Sequence, residues 1–291
     1  MFYAGARRFS PSAKTKLRYS IKMENITLYS TQNTPYSVAL PEPTRGQKSA
    51  YFFAYAKSGS TLMDNMISHY CAQTGMAFFS LFGQAFSQGI QTSDIDKDAV
   101  ACFKPEGYIY SGFRHYPKFR ISTGDEPVVL LVRDPRDMLV SLYYSIIKSH
   151  VIPEGNMQLK KQRQRAALQS IDEFVVQRAG GYLRQFERYE QTLGKLKVKV
   201  YRYEDVIYDK KRWLWDMIQY IGLPEQKTLI EDIASRFDIV PDSEHETQHI
   251  RQVHPGNHRD KLQKRTISLL NQKLAPFLSA YDYNSSDGIC N

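Results

Sequence analysis

A short polar run between two apolar segments is the part of this 291-residue chain best suited to bind a phosphate. The run contains five residues: Lys57, Ser58, Gly59, Ser60 and Thr61. Apolar and aromatic residues at 51–56 predict a buried strand before it, and apolar residues at helical spacing follow from Leu62. The first turn of a helix presents unbonded N–H groups and a partial positive charge, which favour a phosphate. We therefore predict a phosphate loop at 57–61, to which Lys57 adds a full positive charge.

A second candidate anion site follows the apolar run at 128–132, which is typical of a strand buried on both faces. Arg133 ends that run, and Ser141 lies within the helix predicted to follow. A guanidinium offers a phosphate two parallel donors, and a hydroxyl adds another. An arginine–aspartate network that caps the helix would also explain these charges. Such a network would not explain why this second motif occurs in the same chain as the phosphate loop.

The order of residues in the phosphate loop argues against ATP hydrolysis by the usual route. A Walker A loop has the form GxxxxGK[ST], in which the lysine follows the second glycine. Here Lys57 precedes Gly59, and no glycine occupies the upstream position. A nucleotide kinase is therefore a weak alternative.

Two motifs together resemble those of sulfotransferases that use 3′-phosphoadenosine 5′-phosphosulfate (PAPS). The sequence KSGST after an aromatic strand resembles their 5′-phosphosulfate loop. Their second motif, R-x-x-[KR]-D-x-x-x-S, is matched at four positions: Arg133, Arg136, Asp137 and Ser141. The resemblance implies that residues 57–61 hold the 5′-phosphosulfate and that Arg133 and Ser141 bind the 3′-phosphate.

Two looser matches follow in the family's order. Tyr203 begins a YED sequence at a predicted strand end, and the resemblance implies that its ring lies near the adenine. A tyrosine buried in the core is an equally good interpretation. The segment 251–262 resembles the C-terminal cofactor loop R-K-G-x-x-G-x-W-[KR]-x-x-L, and its Arg251 is implied as a further 3′-phosphate ligand. It departs from that pattern at Gln252, Val253 and His258.

The catalytic base is predicted from a shorter match. His115 and Pro117 supply the H-x-P part of the family's T-H-x-P sequence, without the threonine. A histidine pKa near neutrality suits removal of a proton from an acceptor hydroxyl. A loop histidine without a role is the simpler alternative, and Glu106 is the alternative base.

The resemblance implies in-line transfer of a sulfuryl group from PAPS to an acceptor hydroxyl or amine. Adenosine 3′,5′-bisphosphate (PAP) leaves, Lys57 stabilises the charge that develops on it, and no metal is required. The acceptor, whether glycan, lipid or small molecule, is not predicted. A non-catalytic module that binds a nucleotide or an anionic glycan is the alternative of another class.

A zinc-dependent hydrolase is the other alternative, because His245, Glu246 and His249 form a literal HExxH. That signature needs an amphipathic helix, so that both imidazoles share one face. Few apolar residues surround it, and Pro241 and Pro255 limit the length of a helix. We therefore expect no metal site.

The elements that must position these residues alternate along the chain. Strands are predicted at 51–56, 107–113, 128–132 and 198–203, with helices between them. This order predicts an α/β fold of three layers, a central parallel sheet flanked by helices, like that of P-loop NTPases and sulfotransferases. Ligands then bind at the carboxyl ends of the strands, where Lys57 and Arg133 are placed.

Residues 1–48 are predicted to form an irregular arm or cap, and residues 49–291 a single domain. The segments 74–100 and 150–170, both predicted to be irregular or polar, are candidates to contact the acceptor, together with the N-terminal arm. Four phenylalanines could line a pocket there or form the core face of a helix: Phe78, Phe79, Phe82 and Phe86.

The composition favours an anionic partner. The net charge is +9 and the pI about 9.3, which suits a nucleotide or an acidic glycan. No recognised nucleic-acid module accompanies the charge, so no nucleic-acid partner is expected. Three separated cysteines predict no disulfide framework, and no apolar run approaches the ~20 residues of a membrane span. A cytoplasmic location is expected; the oligomeric state is not predicted.

Overall fold

The structure is a computed structural model that describes residues 22–121, 125–149, 157–239 and 253–283. A parallel sheet of five strands forms its centre. Its strands, with those of a separate hairpin, are β1 Met23–Tyr29, β2 Pro35–Pro41, β3 Ala50–Ala54, β4 Ala77–Phe79, β5 Tyr108–Phe113, β6 Val128–Val132 and β7 Val198–Arg202. The order across the sheet is β4-β5-β3-β6-β7. All pairings in it are parallel, so every carboxyl end lies at one edge.

Helices cover both faces of this sheet. Their bounds are α1 Ser60–Thr74, α2 Leu81–Ser87, α3 Pro135–Tyr144, α4 Met157–Ala167, α5 Ile171–Leu193, α6 Tyr203–Val206, α7 Lys210–Tyr220, α8 Lys227–Phe237, α9 Asn257–Lys261, α10 Lys264–Lys273 and α11 Ala275–Ala280. Successive residues of β3 point to opposite faces. Tyr51 and Phe53 join the core that contains α3 and α5, and Phe52 and Ala54 join the core that contains α1 and α7. The predicted three-layer α/β fold is confirmed.

The position of β3 determines which loops meet. It lies between β5 and β6, with Phe53 opposite both Phe113 and Leu130. The loop after β3 is therefore flanked by the loops after β5 and β6. Those three loops contain the phosphate loop, His115 and Arg133 respectively.

The prediction of an irregular arm is wrong for the part of residues 1–48 that the structure describes. β1 and β2 form an antiparallel hairpin, and the alternating side chains Tyr36, Val38 and Leu40 are buried in the main core. The hairpin is fixed to α2 by Gln84, whose amide accepts from Ala39 N at 2.8 Å and donates to Ala39 O at 3.1 Å. The domain boundary at residue 48 stays a prediction.

Two further elements lie where none was predicted. β4 has only three residues, and it pairs with β5 at the edge of the sheet. α4 lies within the segment 150–170, predicted to be irregular or polar. It has little apolar surface, and a hydrogen bond of 2.7 Å from Arg163 Nε to Ile146 O helps to hold it. The phenylalanines are divided between β4 and α2, and Phe79 and Phe82 are buried in the core. None of the described helices is long and apolar enough to cross a membrane.

Candidate active site

The phosphate loop has the backbone geometry of an anion cradle. Lys57 adopts φ 70° and Gly59 φ 93°, so the chain turns sharply between β3 and α1. Ser58 is fully buried and its Oγ donates to Tyr55 O at 2.8 Å, which stabilises the turn. No side chain caps α1, and in the described residues no backbone acceptor bonds the amides of Gly59, Ser60 or Thr61. These donors are available to an anion.

Two tyrosines of α5 fix the approach to this loop. Tyr182 OH donates to Ala56 O at 2.9 Å, and Tyr189 OH donates to Ala54 O at 3.3 Å. Both rings are buried, so the hydroxyls replace the water that these carbonyls would otherwise bind. Tyr182 of α5 thereby fixes the backbone of Ala56, the residue before Lys57.

The Lys57 side chain points towards the end of α3. Its Nζ donates to Ser145 Oγ at 3.2 Å. Ser141 is half-buried one helical turn earlier, on about the same face. The structure therefore brings Lys57 and Ser141 to the same region, as the two motifs predict.

Arg133 is buried at the end of β6 and only partly bonded. Its Nη2 lies 3.5 Å from Asp137 Oδ2, and its Cζ lies 4.4 Å from the ring centroid of Tyr203. Its Nε is buried without a hydrogen-bond partner in the described structure. A buried guanidinium with an unused donor fits a phosphate, because leaving such a donor unbonded is costly.

Asp137 has a role that the motif alone does not reveal. It is fully buried and accepts from Gly256 N at 2.7 Å and from His258 N at 2.9 Å. His258 Nδ1 lies 2.7 Å from the same carboxylate. Burial raises the pKa of Asp137, but the bond from the His258 side chain and the charge of Arg133 lower it to about 2. This carboxylate docks the C-terminal segment beside Arg133.

Arg136, also in the motif, is a structural residue. Its Nε and Nη2 donate to Asp134 at 3.0 and 2.7 Å, and its Nη1 donates to Asn271 at 2.7 Å. Asp134 in turn caps α3 through the backbone N–H of Arg136. The guanidinium therefore links α3 to α10 and is not directed at a ligand.

Tyr203 connects three parts of the site. A Cβ added to Gly59 would lie 2.8 Å from its ring, so the ring packs directly against the phosphate loop. The ring also contacts Arg133, and its hydroxyl donates to Val253 O at 2.8 Å. Burial raises the pKa of Tyr203 to about 12, so it stays protonated as a donor. The structure places it as a buried support of the site, which is compatible with a nearby adenine.

His115 lies at the same edge of the sheet, after β5. Gln185 Nε2 donates to Arg114 O, and Arg114 Nη2 donates to Asp64 Oδ2 at 2.9 Å, which fixes the backbone beside it. His115 borders a cleft of about 380 Å³ against α5. The residue is exposed to solvent, and desolvation by the protein on its other side lowers the pKa of His115. The ring is therefore neutral at pH 7.

Glu106 is excluded as the base by its position. It precedes β5, whose amino end lies at the opposite edge of the sheet from Lys57. The six-residue strand separates the two edges by about 20 Å. Arg251 and the HExxH residues lie outside the described residues. Among those described, no group of His, Cys, Asp or Glu could hold a metal ion.

A family model described as the sulfotransferase domain matches residues 50–267, well over half of the chain. A search of curated proteins finds no significant match.

Among solved structures, the crystal structure of mouse sulfotransferase SULT7A1 complexed with PAP is similar at 12% identity and a TM-score of 0.53. The match covers 83% of this chain and 90% of that chain. A sulfotransferase from Alicyclobacillus acidocaldarius matches at 14% identity over 82% of this chain and 97% of that one, with a TM-score of 0.40. At these identities the first likeness supports the fold, which agrees with the sheet order and layers described above.

Proposed function

The chain belongs to the sulfotransferase domain family, and on that basis we propose that it transfers a sulfuryl group from PAPS to an acceptor hydroxyl or amine. One observation carries the proposal: a lysine-containing loop with unbonded amides and a buried arginine with an unused donor lie at adjacent strand ends. Two anion sites so placed match a donor with phosphate groups at both its 5′ and 3′ positions. A single phosphate would need only one.

Each part of the donor site has its own residues. Lys57 and the backbone of Ser58, Gly59, Ser60 and Thr61 hold the 5′-phosphosulfate. Arg133 and Ser141 bind the 3′-phosphate, helped by Arg251. Tyr203 supports both halves, because its ring contacts Gly59 and Arg133.

PAPS, when bound, supplies an activated sulfuryl group whose transfer releases PAP. Lys57 and the loop amides stabilise the negative charge that develops on the leaving phosphate. His115, neutral because its pKa is lowered, accepts the proton of the acceptor. No metal is assigned a role, and a cytoplasmic location stays a prediction.

Calorimetry with PAP and with ATP, each in the presence of EDTA, tests the proposal. We expect PAP to bind at micromolar concentration without magnesium and ATP to bind much more weakly. Preference for magnesium-ATP over PAP would contradict it and would favour a kinase. Binding of PAP without turnover of any acceptor would favour a non-catalytic module.

A further inference from the structure

A groove runs along α5 from the end of α4 to His115. One cavity, of about 580 Å³, lies between the C-terminal end of α4 and α5, and the cleft beside His115 continues it. The two are continuous because Gly181 and Arg184 line both. We call this surface the arginine groove.

The charged residues described along the groove are all positive. Four arginines line it: Arg165, Arg178, Arg184 and Arg188. Among the residues that the structure describes, no aspartate or glutamate lines either cavity, although α5 contains four acidic residues elsewhere on its surface. In the described part of the chain none of the four guanidinium groups forms a salt bridge. Arg178 Cζ lies 5.5 Å from the Phe174 ring centroid, a contact with the ring face that does not use the N–H donors needed by an anion.

The spacing of these residues favours an extended ligand. Gln177, Gly181, Arg184 and Arg188 follow one stripe of α5, at intervals of four, three and four residues. At 1.5 Å per residue the stripe is about 17 Å long. Arg165 and Arg178 line the cavity at the Gln177 end of this stripe, and Arg184 and Arg188 lie at its other end. Positive charge at both ends of such a length suits a polymer with repeated negative charges better than one small anion.

Gly181 keeps the groove open where its two parts meet. A Cβ added there would meet no atom within 4 Å, so packing does not require glycine at this position. Glycine within a helix costs about 1 kcal/mol relative to alanine. Glycine at position 181 therefore neither favours the helix nor improves packing. Its effect is to leave the groove free of a side chain at this point.

We propose that the arginine groove binds an acidic glycan as the sulfuryl acceptor, an inference that rests on the proposed function. The guanidinium groups pair with carboxylates along the glycan. Gln169 Nε2 donates to Gln177 Oε1 at 2.9 Å, which leaves Gln169 Oε1 as an acceptor and the Gln177 NH2 group as a donor for sugar hydroxyls. An acidic peptide, by contrast, does not carry a hydroxyl group on each of its residues. The groove ends at His115, which places one glycan hydroxyl beside the proposed base.

The transfer step at that end is balanced. The hydroxyl oxygen forms a bond to sulfur as its proton passes to His115. The bond between sulfur and the bridging phosphate oxygen breaks, and its electron pair leaves with PAP. The proton on His115 is then released to solvent.

Calorimetry in the presence of PAP tests the acceptor class with three probes. These are a hyaluronan decasaccharide, its carboxyl-reduced counterpart, and polyglutamate of similar charge. We expect the acidic decasaccharide to bind, to weaken with added salt, and to lose roughly tenfold or more of its affinity when the carboxylates are reduced. Equal binding of the reduced form, or tighter binding of polyglutamate, would overturn the proposal.

Two variants connect this binding to the groove. Arg184→Glu combined with Arg188→Glu is expected to weaken the decasaccharide roughly tenfold or more, whereas Arg212→Glu is the matched control. Arg212 is exposed on α7, which packs in the opposite helical layer. Gly181→Leu fills the groove without changing its charge, and should weaken the decasaccharide several-fold. Unchanged affinity in both groove variants would contradict the assignment.

Affinity for PAP separates failure of this inference from failure of the proposed function. PAP binding also reports that each variant is folded, because the groove residues do not belong to the donor site. A protein that binds PAP but not the decasaccharide retains the sulfotransferase proposal and loses the glycan acceptor. A protein that binds neither loses both.

Discussion

Asp137 and His258 form a buried contact that joins the second motif to the C-terminal segment. One carboxylate oxygen accepts the backbone N–H of His258 at 2.9 Å and lies 2.7 Å from its Nδ1, while the other faces Arg133 at 3.5 Å. The motif aspartate therefore orients Arg133, an arginine of the proposed donor site, and holds the C-terminal segment beside it. Its conversion to a neutral amide should disturb both.

Asp137→Asn is expected to lower the free energy of unfolding at pH 7 by about 2 kcal/mol or more. The variant loses a carboxylate whose folded pKa is about 2, against an ordinary value of 3.8, and one pKa unit corresponds to about 1.4 kcal/mol. Urea unfolding measures the change. Asp260→Asn, at an exposed carboxylate on α9, is the control and should have little effect. Equal stability of Asp137→Asn and the wild type would contradict this role.

The same carboxylate predicts how stability depends on acid. Because its pKa is lower when folded, the unfolded chain binds more protons between about pH 4 and pH 2. The stability from Asp137 is present above pH 4 and is lost as the pH falls through that window. The difference between wild type and Asp137→Asn should therefore shrink from pH 5 to pH 2.5.

Gly59→Ala and Gly181→Ala should change stability in opposite directions. At Gly59 the φ of 93° and the Tyr203 ring at 2.8 Å both oppose a methyl group, so we expect a loss of about 1–3 kcal/mol. At Gly181 the helix gains about 0.5–1 kcal/mol. Thermal unfolding of the pair measures this, and a stabilised Gly59→Ala would show that the ring contact is not tight.

Arg133→Met should weaken discrimination for the 3′-phosphate. A charge-assisted bond to a buried guanidinium contributes about 1.5–3 kcal/mol, so the wild type should prefer PAP over AMP by roughly 10- to 100-fold. In the variant the preference for PAP over AMP should fall roughly tenfold or more, and Ser141 and Arg251 should supply what remains. The ratio within one protein is insensitive to a general loss of stability. A variant that keeps the wild-type ratio would exclude Arg133 as the 3′-phosphate ligand.

His115→Asn tests the base through the pH profile. The lowered pKa of His115 predicts that kcat/KM rises with pH below about 6.5 and is level at neutral pH, since only the neutral ring accepts a proton. The variant should lose that rise and about 10²–10⁴-fold in rate. A variant with the same profile as the wild type would assign the base elsewhere.

The central strands could be predicted because their apolar runs are long and local. β3 and β6 are buried throughout, and their sequences carry that signal without reference to any other part of the chain. β4 and α4 could not be predicted in this way. β4 is short and depends on its pairing with β5, and α4 has little apolar surface of its own.

The residues of the candidate site also differ in how far the sequence predicts them. Lys57, Arg133 and Ser141 are found from motifs because each lies within a few residues of the element that positions it. The contacts of Tyr203 with Gly59 and of Asp137 with His258 join residues more than 100 positions apart. No local pattern encodes such contacts. Arg251 lies outside the described residues, so its role stays a prediction.

The rate of PAP formation from PAPS by Lys57→Ala, with the proposed glycan acceptor present, tests the central claim most directly. Lys48→Ala is the matched control, because Lys48 lies before β3, at the opposite edge of the sheet. If Lys57 stabilises the leaving phosphate, its variant should lose about 10²-fold or more in rate while still binding PAP, and the control should keep its rate. A Lys57→Ala enzyme that forms PAP at close to the wild-type rate would contradict the account.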